Sequence, residues 1–545
     1  MPVEVIRLQP TATRGQTEAV LDLFVCGCSF SKEMITADRA SDSAPQIPPE
    51  VWTLIFEHLS SADLSRARLT CRRWNQLVVG SPSLPGKFEL KLLEKTLHPE
   101  SDRIKDLLAS STIRFSRVLL HGKTFIDAGA WWPRIGRNLK VLEMRNRVID
   151  IADLLELLRG TPKLKVLKVC SKYSAEEEMI PQIDFELASL EVLELETDCP
   201  DDLLCMLAQM CPRLKKFSLN IVPIVGLEPE SVLREVLDFI RTVRNSLESV
   251  SVRGTEDNLL EELLDFEGLR LKRVSLACCD REILSEPGKE QLSVEELRVN
   301  ICSDEVLCNI GKSLPNLKKL SCGFFENQSA IVRFLSFMPK LKSLQIASQW
   351  IKQRECGLKF PTLKHHQLTS LTLLNGKHTL TWIEHFPNLR TLKLQNAEIP
   401  SWPDFYAAIA LLKALKSVKL KCVKADQHKE LEDSPIVTNL KDLNVICCDV
   451  SNAFLASLIS SCPKLENIHL ENMQIVDDDT VRALCNSSKH LKTLNFCGLT
   501  NVTHESVNTI AKYRPQLDKV SFEECQNVTR EEVEALRRTN IYKVL

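Results

Sequence analysis

From about Phe115 to the end of the chain, one pattern of apolar and polar positions returns: apolar-x-x-apolar-x-apolar. It reads LKVLEM at Leu139, LKVLKV at Leu164, LEVLEL at Leu190, LKKFSL at Leu214 and LESVSV at Leu247. LKRVSL at Leu271, VEELRV at Val294, LKKLSC at Leu317, LKSLQI at Leu341 and LTSLTL at Leu368 follow. The last are LRTLKL at Leu389, LKSVKL at Leu415, LKDLNV at Leu440, LENIHL at Leu465, LKTLNF at Leu491 and LDKVSF at Leu517. A weaker copy, FSRVLL, begins at Phe115, which makes about 17 units, most of them 23 to 27 residues apart. The alternation predicts a short strand that sends two side chains into one core. Stretches between the phrases, such as DDLLCMLAQM and REEVEALRRT, place apolar residues three and four apart and predict helices. A strand and a helix repeated at this period build a solenoid. Helices are about 10 Å wide and strands lie about 4.8 Å apart, so the stack must curve. The expected fold is an α/β solenoid shaped as a horseshoe, with parallel strands on the concave side and helices on the convex side.

These units resemble the leucine-rich repeat, most closely its cysteine-containing subtype and most clearly in LDKVSFEECQNVTREEVEAL. Cys279, Cys302, Cys448 and Cys525 each stand three residues after the last apolar strand position. In that subtype a small buried side chain turns the chain there, so the resemblance implies inert, reduced thiols rather than nucleophiles. The sequons at Asn501 and Asn527 fall at equivalent places in consecutive repeats and read as repeat turns. The repeat at Leu214 runs 33 residues, and the segments near 350–367 and 423–437 break the pattern, as projecting loops would. The final IYKVL, from Ile541, partly restates the strand phrase and is expected to add an incomplete last strand.

The stretch from Ile47 to Val78, IPPEVWTLIFEHLSSADLSRARLTCRRWNQLV, behaves differently. Pro48 and Pro49 suit a helix start. Leu54, Ile55 and Leu59 then mark one face, with Trp52 and Phe56 on another side. Ser61 is placed to cap a second helix with Leu64, Ala67 and Cys71, and a third piece carries Trp74, Leu77 and Val78. Some 40 residues with this much apolar surface bury too little alone, so the unit calls for a partner surface. The stretch resembles the F-box, from IPPEV through IFEHL and ADL to CRRW. The resemblance implies docking on a Skp adaptor, and through it on cullin and RING subunits. Carried over position by position, that contact falls on Ile47, Pro48, Glu50, Val51, Ile55, Phe56 and Leu59, with Leu64 and Trp74 in support. Pro85 stands where many members of that family have a tryptophan.

Composition narrows the function. The 545 residues carry a formal net charge of −2, which favours neither nucleic acid nor a membrane as partner. Only 17 glycines are present, and neither a dinucleotide fingerprint nor a phosphate loop appears. The 11 histidines form no catalytic or zinc motif, so no enzyme, metal or cofactor is called for. The 20 cysteines lack metal-ligand spacing and suit a reducing cytoplasm, and the nucleus as well. Cys26 and Cys28 sit in an apolar but short run, Ala19–Phe30, that carries Asp22 and is neither signal peptide nor anchor. The expected order is a disordered tail over 1–46, an F-box over 47–90, a helical linker over 91–114 and repeats over 115–545. The combined resemblance implies the substrate receptor of a ubiquitin ligase that captures a protein target. A repeat-based binding or scaffold protein that does not promote degradation uses the same parts.

Within each phrase the third and fifth positions should face the concave solvent side. The fifth position, from Glu143 to Ser521, is never apolar. Lys393 and Lys419 hold it in adjacent repeats, followed by Asn444 and His469, while Arg390, Lys416 and Lys441 hold the second position. Lysines side by side without an acid between them mark these residues as a candidate site for an acidic or phosphorylated target segment.

Overall fold

A computed structural model describes residues 47–81, 83–93, 106, 108–109, 111, 114–122, 131–149, 151–173, 183–197, 201–222, 229–254, 259–276, 292–300, 304–323, 329–347, 364–378, 380–427, 437, 439–514 and 516–541. The tail over 1–46, with Cys26 and Cys28, lies outside them, as do Cys279, Cys302 and most of 350–367. The chain forms two compact units, Met1–Glu256 with Gly268–Arg270, and Asp257–Glu267 with Leu271–Leu545.

In the first unit the phrases become parallel strands: Arg117–His121, Val141–Ile149, Val166–Tyr173, Val192–Thr197, Lys216–Ile221 and Ser249–Arg253. The phrase sets the register. Leu142, Leu167, Leu193, Phe217 and Val250 pair in one row and are each at most 1% exposed. Before each of these strands, one carbonyl receives two N–H groups from the next repeat: Ser116 O from Lys140 and Val141, then Lys140 O from Lys165 and Val166. The layer behind the strands includes the helices Ile151–Arg159, Asp201–Met210 and Pro229–Val243. Gly160 lets the Trp132 ring approach, since a Cβ there would lie 2.8 Å from it, and Trp132 Nε1 donates to Leu157 O at 2.7 Å. One strand arrives earlier than the sequence suggests. Glu89–Leu93 pairs residue for residue with Arg117–His121, so the boundary at 90 cuts through a strand and the expected helical linker starts inside one.

The second unit repeats the plan with eleven parallel strands of the long sheet, from Arg273–Leu276 to Lys519–Glu523, and a separate parallel pair, Glu398–Ser401 with Lys424–Gln427, giving 20 strands among the described residues. The architecture is a leucine-rich-repeat solenoid. Cys448 and Cys525 are buried, and each thiol points at the backbone carbonyl two residues before it, Ile446 O at 3.3 Å and Glu523 O at 3.6 Å. Burial pushes the Cys448 thiol up to about 11, as suits an inert packing group. The sequon asparagines tie one turn to the previous one: Asn501 Nδ2 donates to Gln474 O and Asn527 Nδ2 to Thr500 O, at 2.6 and 2.7 Å. Ile541 corrects an expectation, because it ends the helix Arg530–Ile541 instead of opening a strand. Tyr542–Leu545 lie outside the described residues.

Neighbouring repeats are also clamped through Asp478, at the start of the helix Asp478–Ser487. Its carboxylate accepts from Thr503 N–H at 2.9 Å, from the Thr503 hydroxyl at 2.7 Å and from the Ser506 hydroxyl. Burial alone would raise this carboxyl, but the donors from Ser506 and Thr503 outweigh it and hold the carboxyl below its ordinary value. A depressed folded value means stability that is full above the unfolded titration, about pH 4, and fades as pH falls below it. Asp478→Ala should therefore lower stability by about 1–2 kcal/mol at pH 7. Urea unfolding of parent and variant, repeated down to pH 3, should show the gap shrinking in acid; a gap independent of pH contradicts the clamp.

Candidate functional site

Three short helices precede the first strand: α1 (Pro49–His58), α2 (Ser61–Thr70) and α3 (Arg72–Gly80). Pro49 opens α1, where its missing N–H costs nothing. Ser60 caps α2, accepting from Asp63 N–H at 3.1 Å, so the cap is one residue earlier than the sequence suggested. Cys71 lies between α2 and α3, and its sulfur caps α3 through Trp74 N–H at 3.5 Å. Phe56, Leu64, Ala67 and Val78 form the core with Leu84 and Phe88 from the segment that follows. Trp52, Phe56 and Trp74 make an aromatic cluster with ring centroids 4.7 to 5.6 Å apart. Lys87 closes the far end of α1, donating to Glu57 O at 2.5 Å and Leu59 O at 2.7 Å, where the helix presents unpaired carbonyls.

That core leaves a stripe behind. Val51, Leu54 and Ile55 are 42%, 58% and 40% exposed, and they share one face of α1 by their spacing of three and four. Pro48 and Glu50 are exposed at the same end of the helix, and Ile47 and Leu59 are half-buried. Leu69 on α2 is 65% exposed. Removing such surface from water is favourable by roughly 25 cal/mol per Å².

On the second unit, side chains of the strands alternate between the core and an open face. Lys393 and Lys419 are direct register partners on that face, between Thr372 and Asn444, and His469 follows Asn444. Lys421 joins them two residues along its strand. Arg390 and Lys416 precede their strands and are exposed. None of these five cations has an ion pair among the described residues. Lys441 departs from the expected set: it pairs with Glu466 at 2.5 Å, which also holds Lys492 at 2.7 Å. Hydrogen bonds from Lys441 and then Lys492 keep the Glu466 carboxyl at about 2. His469 is likewise engaged, with Glu471 at 3.1 Å.

The contrast with the first unit is sharp. There Glu143 sits between Arg117 and Arg145, and Glu194 holds both Lys168 and Lys216 at 2.6 Å. Glu143, expected to face solvent, is 4% exposed beneath its arginines, and Ser521 is equally covered. Burial works against the Glu143 carboxylate, but Arg117 and Arg145 hold its titration below the ordinary range.

Residues 44–84 match the F-box-like family, and residues 380–537 match a family described as FBD-associated F-box protein At5g56370, LRR repeats. The chain is an F-box protein with leucine-rich repeats. Among solved structures it is similar to the mouse RP105/MD-1 complex at 14% identity and a TM-score of 0.46, over 86% of this chain and 78% of that one. It is also similar to the yeast Rad7 and Elc1 complex at 17% identity and a TM-score of 0.32, over 68% of this chain and 83% of that one.

Within the F-box, the nine residues singled out from sequence divide by burial. Pro48, Glu50, Val51 and Ile55 are presented to solvent, while Ile47, Leu59 and Trp74 are half-buried. Phe56 and Leu64, at 1% and 0% exposed, belong to the core of the three helices. Leu54, which the sequence places on the face of Ile55 and Leu59, and Leu69 are exposed apolar residues outside that set of nine. Phe56→Ala should cost about 3–5 kcal/mol and open α1–α3 to hydrogen exchange. Leu54→Ser should change stability by less than about 0.5 kcal/mol and leave exchange unaltered. Similar exchange in the two variants contradicts this division of core and surface.

Proposed function

We propose that this protein is the substrate-recognition subunit of an SCF-type ubiquitin–protein ligase. The F-box docks on a Skp adaptor, which bridges to cullin and RING subunits, and the repeats hold a target protein for ubiquitin transfer by the recruited conjugating enzyme. The observation that carries this reading is the solvent-facing stripe Val51–Leu54–Ile55 on a three-helix unit whose core is already filled. Such a stripe has no folding role, and an apolar partner groove gives it one. Catalysis is then proximity: the receptor contributes no reacting group and supplies local concentration.

The target face is the stretch around Lys393, Lys419 and Lys421, flanked by Arg390 and Lys416. At Glu194 and at Glu466 an acid stands between neighbouring cations; at Lys393 and Lys419 two lysines face each other directly on the strands. Like charges in register are unfavourable unless a partner compensates them. An acidic or phosphorylated target segment does so, with Asn444 beside the cations as a neutral hydrogen-bonding group. The setting is the cytoplasm and nucleus, where the resting state of the thiol-rich repeats is reduced.

Two variants separate the two surfaces. Leu54→Ser with Ile55→Ser should weaken adaptor binding by about 100-fold or more, on the basis of roughly 1.5–3 kcal/mol per buried aliphatic side chain. Target capture should persist. Lys393→Glu with Lys419→Glu should lose target capture and keep the adaptor. Undiminished adaptor binding by the first variant overturns the F-box assignment, and undiminished capture by the second removes the basic face. Ubiquitin transfer to the captured target in a reconstituted ligase distinguishes a receptor from a scaffold.

A further inference from the structure

From the strand Ser370–Leu374 onward, the turn that leaves each strand of the long sheet contains a residue with positive φ, and those positions stack from repeat to repeat. Asn375, Asn396, Asn472 and Gly498 occupy it at φ of 54°, 51°, 52° and 64°. These are residue types that tolerate the left-handed region. Three positions break the rule: Cys422 at 51° and Cys447 at 50° in consecutive repeats, and Glu524 at 56° in the last. A cysteine gains nothing from that conformation, and its side chain has no amide to satisfy the turn. Strained residues held in such a place point to a role beyond folding.

Strand register places the two cysteines side by side in adjacent repeats. Lys421 and Ile446 are register partners, and Cys422 N–H donates to Ile446 O at 2.8 Å, so the backbone pairing runs up to the cysteines. The equivalent side chains of the preceding pair touch, with Asn396 Nδ2 3.5 Å from Asn375 Oδ1. At the following pair a Cβ on Gly498 would lie 2.1 Å from Asn472 Oδ1. Neighbouring parallel strands are spaced at about 4.8 Å, inside the range of about 4.4–6.8 Å between Cα atoms that a disulfide spans. Both cysteines are free; Cys447 is exposed and Cys422 half-buried.

We propose that Cys422 and Cys447 form a cross-repeat dithiol that a peroxide oxidises to a reversible disulfide. The Cys447 sulfur attacks a peroxide oxygen, the O–O bond breaks, and a sulfenic acid forms as water leaves. The Cys422 thiol then attacks the sulfenic sulfur, the S–O bond breaks, the S–S bond forms and a second water leaves. Two thiols and one hydrogen peroxide thus give one disulfide and two waters. Cys448, next in the chain, is a poor substitute: it is buried, points at Ile446 O and has its thiol pushed up to about 11 by burial. The site lies beside Lys421 and is independent of what the lysines bind.

The test treats the full-length protein with hydrogen peroxide, alkylates it, digests it without reductant and reads the cross-linked peptides by mass spectrometry. A Cys422–Cys447 link that thioredoxin removes is the expected result. Cys422→Asn and Cys447→Asn should each abolish it. Asparagine is the residue of neighbouring turns, so both variants should fold with melting temperatures at or above the parent's. If the parent forms no such link while its exposed Cys71 is oxidised, the proposal falls. It falls equally if Cys447→Asn still cross-links Cys422, through Cys448 or any other thiol.

Discussion

No repeat in this chain can finish its own core. Each contributes one strand with two inward side chains and depends on the next repeat to cover the backbone polar groups and the flanks of those side chains. The constraint is visible at successive junctions within each unit, where one carbonyl receives two N–H groups from the following repeat and a row of apolar side chains stays buried. Stability is therefore a sum over neighbours, and the open face of the strands is released from folding duty. Whatever appears on that face must be explained by local pairing or by function.

That freedom gives the charges on the strands their meaning. Glu143 between arginines, Glu194 between lysines and Glu466 between lysines show how the fold neutralises cations that stand side by side. Lys393 and Lys419 are in the same situation without an acid between them. The F-box shows the complementary case with apolar groups. Phe56, Trp52 and Trp74 consume the hydrophobic surface that three helices need, and Val51, Leu54 and Ile55 are left in surplus.

Much of this was legible in the sequence because the period is strict. A phrase that returns every 23 to 27 residues fixes strand register, and register decides which side chains meet. The first strand escaped for a local reason. Its register puts Lys87 where the other copies have an apolar residue, and Lys87 is drawn to the carbonyls that end α1. Lys441 shares the second position with Arg390 and Lys416 but leaves the cationic group, because Glu466 fills the same position one repeat later and pairs with it. Phe56 and Ile55 adjoin on a short helix, and periodicity alone does not say which of two apolar faces turns inward. Ile541 begins an alternating run, but the helix from Arg530 already carries through it.

As proposed, the F-box stripe is one half of a protein interface. Isothermal titration of the full-length protein with purified Skp adaptor, repeated at several temperatures, addresses it directly. Burial of Val51, Leu54 and Ile55 in an apolar groove requires saturable one-to-one binding with a negative heat-capacity change. An absence of binding, or binding whose enthalpy does not vary with temperature, would contradict it.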